Sequence, residues 1–285
     1  MEWGYCSSKT IYYLLTKEFF LEAQTHAQKI VDGLTTAVSP FHSVETVKKL
    51  LKENEFNEIK ETEDWELEGG KKYYFTRNNS TICAFTVGTK CASGSPPSCF
   101  KVVGCHTDSP CIRLAPISKT ESSGFKELAV QWYGGGLWHT WMDRDLTFAG
   151  RVIIKNDDTG KLEDRYWHHQ EPILRIPNLC IHLQSGTERE ALKLNKESHL
   201  KPVIATSIID SLMDDLEECK EEVKASIQSK HMKSFLNLIA DEVGCNPENI
   251  VDMELSTVDT QKPCIMGLHK EFISSGRLDN MLSSL

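Results

Sequence analysis

A histidine and an aspartate at the end of a short apolar run form the first candidate site. The run, residues 100–105, is followed by His106 and two positions later by Asp108. Because alternate residues of an extended segment face the same way, Asp108 can orient the His106 imidazole or share its ligand sphere around a metal ion. A His-x-Asp pattern is common in proteins, so the alternative is a surface histidine that is hydrogen-bonded to its neighbour.

A second aspartate with metal-binding potential lies much later in the sequence. Asp279 belongs to the segment Arg277-Leu278-Asp279-Asn280, which follows the strand-like residues 271–273. The two oxygens of one carboxylate can serve both members of a metal pair about 3.5–4 Å apart, so Asp279 can bridge two divalent ions. The alternative is an aspartate that only caps a turn.

Other catalytic patterns are missing or have simpler explanations. The glycines at 134–136 lack the spacing of a dinucleotide fingerprint, and the sequence contains no P-loop and no G-x-S-x-G nucleophile elbow. His168 and His169 are adjacent, and adjacent residues of a strand point to opposite faces, so we expect a solvent-exposed pair. The tryptophans within residues 132–141 are expected to pack in the interior or at an interface.

Local signals predict the elements that position these candidates. Residues 100–105 have the length and apolar character of a buried strand, which places His106 at a strand end. Ser39 and Pro40 have the residue types of a helix cap and a first helical position, and they predict an amphipathic helix over residues 40–53.

The rest of the sequence alternates strand, turn and helix signals. Strand formers predict a hairpin at 73–76 and 81–87, strands and turns over 129–154, and a tight turn at 156–160. An apolar stripe from Met232 to Val243 predicts a helix that ends at Gly244. Residues 91–98 are expected to form a surface loop, and the acidic residues 214–224 a solvated helix face or a linker.

Composition limits the class of protein. The 285 residues are 40% hydrophobic and 26% charged, which fits a soluble globular protein of about two domains. A formal net charge of −9 without a basic cluster argues against nucleic acid as a partner. The sequence shows neither a signal peptide nor an apolar run of membrane-spanning length, so we expect a cytoplasmic location and no membrane partner.

Ten cysteines are dispersed along the chain without a CxxC pair. A disulfide scaffold is typical of much smaller domains, so most of these cysteines are expected to be reduced, small apolar residues of the core. A structural zinc or redox protein built on the cysteines is disfavoured, because they have no chelating spacing.

Nine segments occur in one order along the chain: Ser39-Pro40-Phe41-His42, Thr76-Arg77-Asn78-Asn79-Ser80-Thr81, Gly104-Cys105-His106-Thr107-Asp108-Ser109-Pro110-Cys111, Tyr133-Gly134-Gly135-Gly136, Trp141-Met142-Asp143-Arg144-Asp145-Leu146, Arg175-Ile176-Pro177, Ile181-His182-Leu183-Gln184, Asp259-Thr260-Gln261 and Arg277-Leu278-Asp279-Asn280. In this order they resemble the aspartyl aminopeptidases, metallopeptidases that remove acidic residues from peptide N-termini. The resemblance runs from about Phe20 to Leu285.

The resemblance implies roles for four residues. His106 is expected to be a zinc ligand, and Asp108 is expected to support His106 without binding the metal itself. Asp279 is expected to bridge two zinc ions. His182 is similar to a family histidine that reaches toward an active site across the subunit interface.

The resemblance also implies an architecture in the α/β class. A mixed-sheet zinc-exopeptidase domain, incomplete in this chain, is interrupted by an inserted β-rich dimerisation domain, and the subunits form a large homo-oligomer. The expected divisions are 1–20, an unmatched extension; 21–110, the first peptidase part; 111–251, the insert; and 252–285, the second, truncated peptidase part. Peptides with an acidic N-terminus are the expected substrates.

The family's catalytic glutamate and remaining metal ligands follow the Arg-Leu-Asp-Asn motif. Here only six residues follow Asp279 (285 − 279), so the ligand set is expected to be incomplete and the chain a fragment or splice form. The alternative is a non-catalytic subunit that assembles with the full-length aminopeptidase and modulates it.

Overall fold

The structure, a computed structural model, describes residues 16–90, 99–216 and 227–284. The loop predicted at 91–98, most of the acidic segment at 214–224 and residues 1–15 of the predicted extension lie outside this part. Among the described residues, no helix combines the length and the apolar character that a membrane span requires.

Two helices begin the described part of the chain, α1 (Lys17–Thr36) and α2 (Pro40–Glu53). The Ser39 side chain caps α2 by accepting a hydrogen bond from the His42 N–H, and Pro40 is at the first helical position. The helix predicted over residues 40–53 is therefore confirmed.

A three-stranded sheet follows the helices. Its order is β1 (Asn57–Glu58), β2 (Lys72–Arg77) and β3 (Thr81–Thr86), with β1 parallel to β2 and β2 antiparallel to β3. Asn78 and Asn79 have φ values of 49° and 51°, in the left-handed region that asparagine tolerates better than most residues. The predicted hairpin is confirmed, and its turn residues have the chemistry that the turn requires.

A six-stranded antiparallel sheet contains most of the remaining strands. In chain order these are β4 (Cys111–Ser122), β5 (Phe125–Tyr133), β6 (Leu146–Lys155), β7 (Leu162–His168), β8 (Val203–Thr206) and β9 (Ile250–Asp259), and their spatial order is β7-β6-β9-β4-β5-β8. The strands predicted over 129–154 are confirmed. So is the turn at 156–160, where Asn156 Oδ1 accepts hydrogen bonds from two backbone N–H groups.

Short helices accompany this sheet: α3 (Gly186–Glu190), α4 (Ser207–Leu216), α5 (Ile227–Lys230) and α6 (Lys233–Val243). Helix α6 buries Phe235 in the main core, where its ring lies 5.7 Å from that of Phe148 between centroids. The helix ends at Gly244 with φ of 72°, so the predicted stripe and its left-handed cap are confirmed.

Strand β9 lies in the middle of the six-stranded sheet, between β6 and β4. The boundary predicted after residue 251 falls within this strand, and the sheet that begins at Cys111 therefore extends to Asp259. The division of the chain into peptidase and inserted parts stays a prediction.

The last described elements are the hairpin strands β10 (Cys264–Met266) and β11 (Phe272–Ser274) and helix α7 (Leu278–Ser284). Met281 of α7 is buried with Leu34 and Ala37, and this small cluster packs α7 against the end of α1. A second small cluster contains Val38, Ala149 and Val258, and it joins the α1–α2 junction to the six-stranded sheet.

The buried strand predicted at residues 100–105 is wrong. These residues form no strand, and Phe100, Val102 and Val103 are 79%, 84% and 98% exposed. A buried strand needs neighbours that pair with its N–H and C=O groups and apolar cover on both faces. Among the described residues, no strand pairs with this segment.

The expectation of a solvent-exposed His168–His169 pair is also wrong, because both faces of β7 are covered at its end. His168 packs near His42 of α2, with ring centroids 6.2 Å apart. The other face brings His169 Nδ1 within 2.8 Å of Glu242 Oε1 on α6. The tryptophan prediction is confirmed, since Trp132 and Trp138 pack edge to face.

The expectation that most cysteines are core residues is wrong for the described ones. Seven lie in the described part as reduced thiols, of which Cys111 is buried and Cys245 half-buried. The other five are exposed: Cys83, Cys99, Cys105, Cys180 and Cys264. The apolar character of a thiol is too weak to bring a residue into the core when its backbone lies at the surface.

Candidate metal centre

The structure brings His106 and Asp279 together although they lie 173 positions apart (279 − 106). His106 Nε2 is 3.4 Å from Asp279 Oδ1. Two ligands bound to one zinc ion at about 2.0–2.1 Å in tetrahedral geometry are themselves about 3.4 Å apart. The pair therefore has the separation of two ligands of a single zinc ion, and the donor types fit that metal.

Asp108 sets the orientation of the His106 ring. His106 Nδ1 lies 2.9 Å from Asp108 Oδ1 and 3.0 Å from the Asp108 carbonyl oxygen. Both of these oxygens are acceptors, so Nδ1 is a donor nitrogen, and Nε2 is the nitrogen on the Asp279 side that a metal ion would bind. A carboxylate behind a histidine that faces a second carboxylate is the usual arrangement around zinc.

Tyr133 holds the other oxygen of Asp108, a contact that the sequence analysis did not predict. Its hydroxyl donates to Asp108 Oδ2, and the Arg113 guanidinium stacks over its ring at 3.5 Å. Gly134, with φ of 79°, allows this placement, because a Cβ there would lie 3.1 Å from Pro110. The only sequence signal for Tyr133 is its place beside the Gly-Gly-Gly segment.

These hydrogen bonds keep Asp108 ionised. Partial burial raises the pKa of its carboxyl, but the hydrogen bonds from Tyr133, from the backbone and from His106 lower it by more, so the pKa lies below its usual value. The same contact with Asp108 is the main cause that raises the pKa of Tyr133. Asp108 is therefore a carboxylate acceptor for the His106 N–H.

Backbone contacts join the two segments that contain the site. Ser109 Oγ donates to the Arg277 carbonyl at 3.3 Å, and the Asn280 N–H donates to the Asp108 carbonyl at 3.3 Å. Arg277 itself has φ of 59° and donates from Nη2 to the Leu34 carbonyl at the end of α1. Asp279 and Asn280 have non-helical φ and ψ values, so the regular part of α7 begins after them.

The described residues place two candidate metal ligands here, His106 and Asp279. Among them, no group of three or more His, Cys, Asp or Glu side chains is arranged to hold a metal ion. A zinc site with tetrahedral geometry needs three protein ligands and a water, or four protein ligands. His106 and Asp279 alone would therefore not complete such a site.

His182 lies in a different place from this pair. It is exposed in the loop of residues 178–184, within the turn at 181–183. Among the described residues, no hydrogen bond or ion pair links it to His106, Asp108 or Asp279. Its apolar neighbours Ile181 and Leu183 are 60% and 71% exposed. Its predicted role across a subunit interface stays a prediction.

Comparison with known proteins decides the family. The sequence profile described as "Aminopeptidase I zinc metalloprotease (M18)" matches residues 34–285, a range that contains all four predicted site residues. The chain belongs to the M18 family. The family recognised in the order of the sequence segments is thereby confirmed.

Curated relatives of this M18 chain have matching names. It is 44% identical over 274 residues to a "Probable aspartyl aminopeptidase" of Ricinus communis, covering 90% of this chain and 54% of the relative. It is 42% identical over 265 residues to an "Aspartyl aminopeptidase" of Caenorhabditis elegans, covering 92% and 55%. The chain thus spans about half the length of the curated relatives it matches.

Solved structures agree with the fold. The structure titled "Cryo-EM structure of the Ape4 and Nbr1 complex" matches with a TM-score of 0.81 and 34% identity, covering 94% of this M18 chain and 50% of that chain. A dodecamer of mApe1 from Saccharomyces cerevisiae matches with a TM-score of 0.72 and 25% identity, covering 91% and 53%. The mixed α/β fold of this chain is therefore the fold of M18 aminopeptidases over the matched half.

Proposed function

We propose that this M18 chain contributes the first ligands of a zinc aminopeptidase that removes acidic residues from peptide N-termini. The observation that supports this most directly is the 3.4 Å approach of His106 Nε2 to Asp279 Oδ1. The names of the relatives support the acidic specificity. The site requires two zinc ions, and the rest of their ligands lie outside the described residues.

In this proposal each described side chain has a separate task. His106 would hold one ion through Nε2, while Asp108 accepts its Nδ1–H and fixes the orientation of the ring. Asp279 offers two oxygens on an exposed carboxylate, which suits a bridge between two ions. A bound zinc pair supplies Lewis acidity and activates a water molecule for peptide hydrolysis.

We also propose that the six-stranded sheet belongs to an inserted domain through which the subunits form a homo-oligomer. The support is the exposed apolar surface around His182, formed by Leu179, Ile181 and Leu183, together with the dodecamer among the similar structures. A cytoplasmic location is proposed as well, because exposed free thiols such as Cys83 and Cys264 suit a reducing compartment.

The test is to express the complete reading frame and to assay it on peptides that begin with Asp, Glu, Ala or Lys. Cleavage of the Asp and Glu peptides that is lost with a chelator and restored by zinc is the expected result. His106→Ala is expected to abolish cleavage, whereas His26→Ala, an exposed histidine on α1, retains it. Chelator-insensitive cleavage, or the same rate for all four peptides, would contradict the proposal.

A second candidate function is a non-catalytic subunit. The observation that favours it is a contrast within the described residues. The six-stranded sheet has a buried core, whereas the candidate metal site has two ligands, fewer than a zinc site needs. If it is correct, the tagged 285-residue chain co-purifies with the full-length aminopeptidase and changes its rate. Recovery of this chain only as aggregate would refute it.

A further inference from the structure

The loop that contains His182, residues 178–184, is attached to the body of the protein at Asp143. Asp143 Oδ1 accepts a hydrogen bond from the Asn178 N–H at 3.1 Å. The Asp143 N–H donates to the Ile176 carbonyl at 2.9 Å, and Ile176 is fully buried in the main core. One residue therefore holds both the last buried position before the loop and the first position of the loop itself.

Ion pairs of the next two residues connect the turn at Asp143 to other parts of the chain. Asp143 itself has φ of 57°, a left-handed conformation that aspartate and asparagine adopt far more readily than other non-glycine residues. Of the two residues that follow Asp143 in the chain, Arg144 pairs with Asp259 at the end of β9, and Asp145 pairs with Arg175 at 2.7 Å. The turn at Asp143 is thus tied to the sheet through charged groups next to it.

Hydrogen bonds within the loop connect its two ends and join it to α3. Gln184 Nε2 donates to the Leu179 carbonyl at 2.6 Å, and the Leu183 N–H donates to the Cys180 carbonyl at 3.0 Å. The Arg189 guanidinium donates to the Gln184 carbonyl at 2.9 Å and so joins the far side of the loop to α3. Because the loop is connected in this way, we expect a change at its base to shift its tip, where His182 lies.

We infer that Asp143 is the positioning residue for His182. Its carboxylate and its left-handed backbone set the direction in which the loop projects, and with it the place that the imidazole reaches. The inference rests on the proposed aminopeptidase function and on the role that the family resemblance implies for His182, at the active site of a second subunit. Asp143 touches neither metal nor substrate in this proposal, and it acts only through the loop.

The test uses the complete enzyme with Asp143→Ala, Asp143→Asn, His182→Ala and the double variant of Asp143→Ala with His182→Ala. Asp143→Ala is expected to lower kcat/KM by roughly 10- to 100-fold, because misplacing a reacting group by about 1 Å has an effect of that size. Asp143→Asn keeps an acceptor oxygen and the left-handed preference, so it is expected to restore most of the activity. Asp158→Ala, an exposed aspartate in the turn at 156–160, is the matched control and is expected to have no effect.

The double variant distinguishes positioning from a general structural role. If Asp143 acts through His182, the double variant has the same kcat/KM as His182→Ala alone, since the second change removes nothing further. If the double variant instead lost kcat/KM by the product of the two single losses, with an unaltered oligomer size, the inference would be overturned. The inference would also be overturned if His182→Ala left kcat/KM unchanged while Asp143→Ala lowered it. If a chelator failed to inhibit the unmodified enzyme, that result would instead contradict the proposed function.

Discussion

The six-stranded sheet and residues 100–105 both contain apolar runs, and the two regions differ in what surrounds them. Phe148 and Phe235 are almost fully buried against each other, whereas Phe100 is 79% exposed. Each strand of the sheet has a partner whose backbone satisfies its N–H and C=O groups, and α6 covers its apolar side chains. The comparison shows that an apolar run specifies burial only when pairing strands and covering helices are present.

The largest expected effect is a change in the free energy of unfolding when a phenylalanine is replaced in each of the two regions. Phe235→Ala is expected to reduce the free energy of unfolding by about 3–5 kcal/mol, because it leaves a cavity in the main core. Phe100→Ala, the matched control, is expected to change it by less than about 0.5 kcal/mol. Urea unfolding of the 285-residue chain measures both. Similar losses for the two variants would show that residues 100–105 are packed in solution.

A smaller effect is expected where two strands of the sheet approach closely. A Cβ at Gly150 of β6 would lie 2.0 Å from the Glu254 carbonyl oxygen of β9, so backbone must move to accept Gly150→Ala. The expected loss is about 3 kcal/mol in the free energy of unfolding, the upper end of the usual overpacking cost. Gly135→Ala, where the structure shows open space, is the control. Equal stability of the two variants would disprove the close β6–β9 contact.

The candidate metal centre is the next test, since His106 directly follows the exposed run at residues 100–105. Asp108→Asn in the complete enzyme is expected to weaken zinc binding by about 10- to 100-fold, because the ring loses its carboxylate partner. Tyr133→Phe removes the second hydrogen bond to Asp108 and is expected to have a smaller effect in the same direction. Zinc competition with a chelator measures both, with Asp64→Asn at an exposed position as control. Unchanged zinc affinity in Asp108→Asn would refute its supporting role.

The smallest expected effect concerns the junction between α2 and the sheet. Burial is the main cause that lowers the pKa of His42 and of His168 to about 4 from 6.5. Electrostatic repulsion adds to the lowering of each pKa, from the neighbouring His168 for His42 and from Arg277 for His168. At pH values between about 4 and 6.5, these histidines bind protons in the unfolded chain but not in the folded chain. The stability from neutral histidines is therefore complete above about pH 6.5 and is lost as the pH falls toward 4, by at most about 1.4 kcal/mol per pH unit and histidine.

Urea unfolding at several pH values between 7.5 and 5 measures this loss. His42→Gln is expected to flatten the dependence, whereas His26→Gln, an exposed histidine of α1, leaves it unchanged. His168 is partly exposed, so its own contribution is the smaller one. Parallel curves for His42→Gln and the unmodified chain would contradict the neutral state of His42.

Sequence reasoning succeeded wherever the decisive signal was local. The cap at Ser39 and Pro40, the asparagines at 78 and 79 and the left-handed Gly244 each specify backbone geometry through their own residue types. The pairing of His106 with Asp108 is local as well, since two positions separate them. The family resemblance supplied the expectation that Asp279 belongs with this pair.

The remaining contacts depend on residues far apart in the chain. The sequence by itself determined the helix at 40–53, the hairpin, the turn residues and the chemical types available for a zinc site. Only the tertiary structure decided that residues 100–105 are exposed, that His168 and His169 are covered from opposite faces, and that Tyr133 holds Asp108. The physical reason is that burial and side-chain partnership require another part of the chain, whereas turns and caps require only the residue itself.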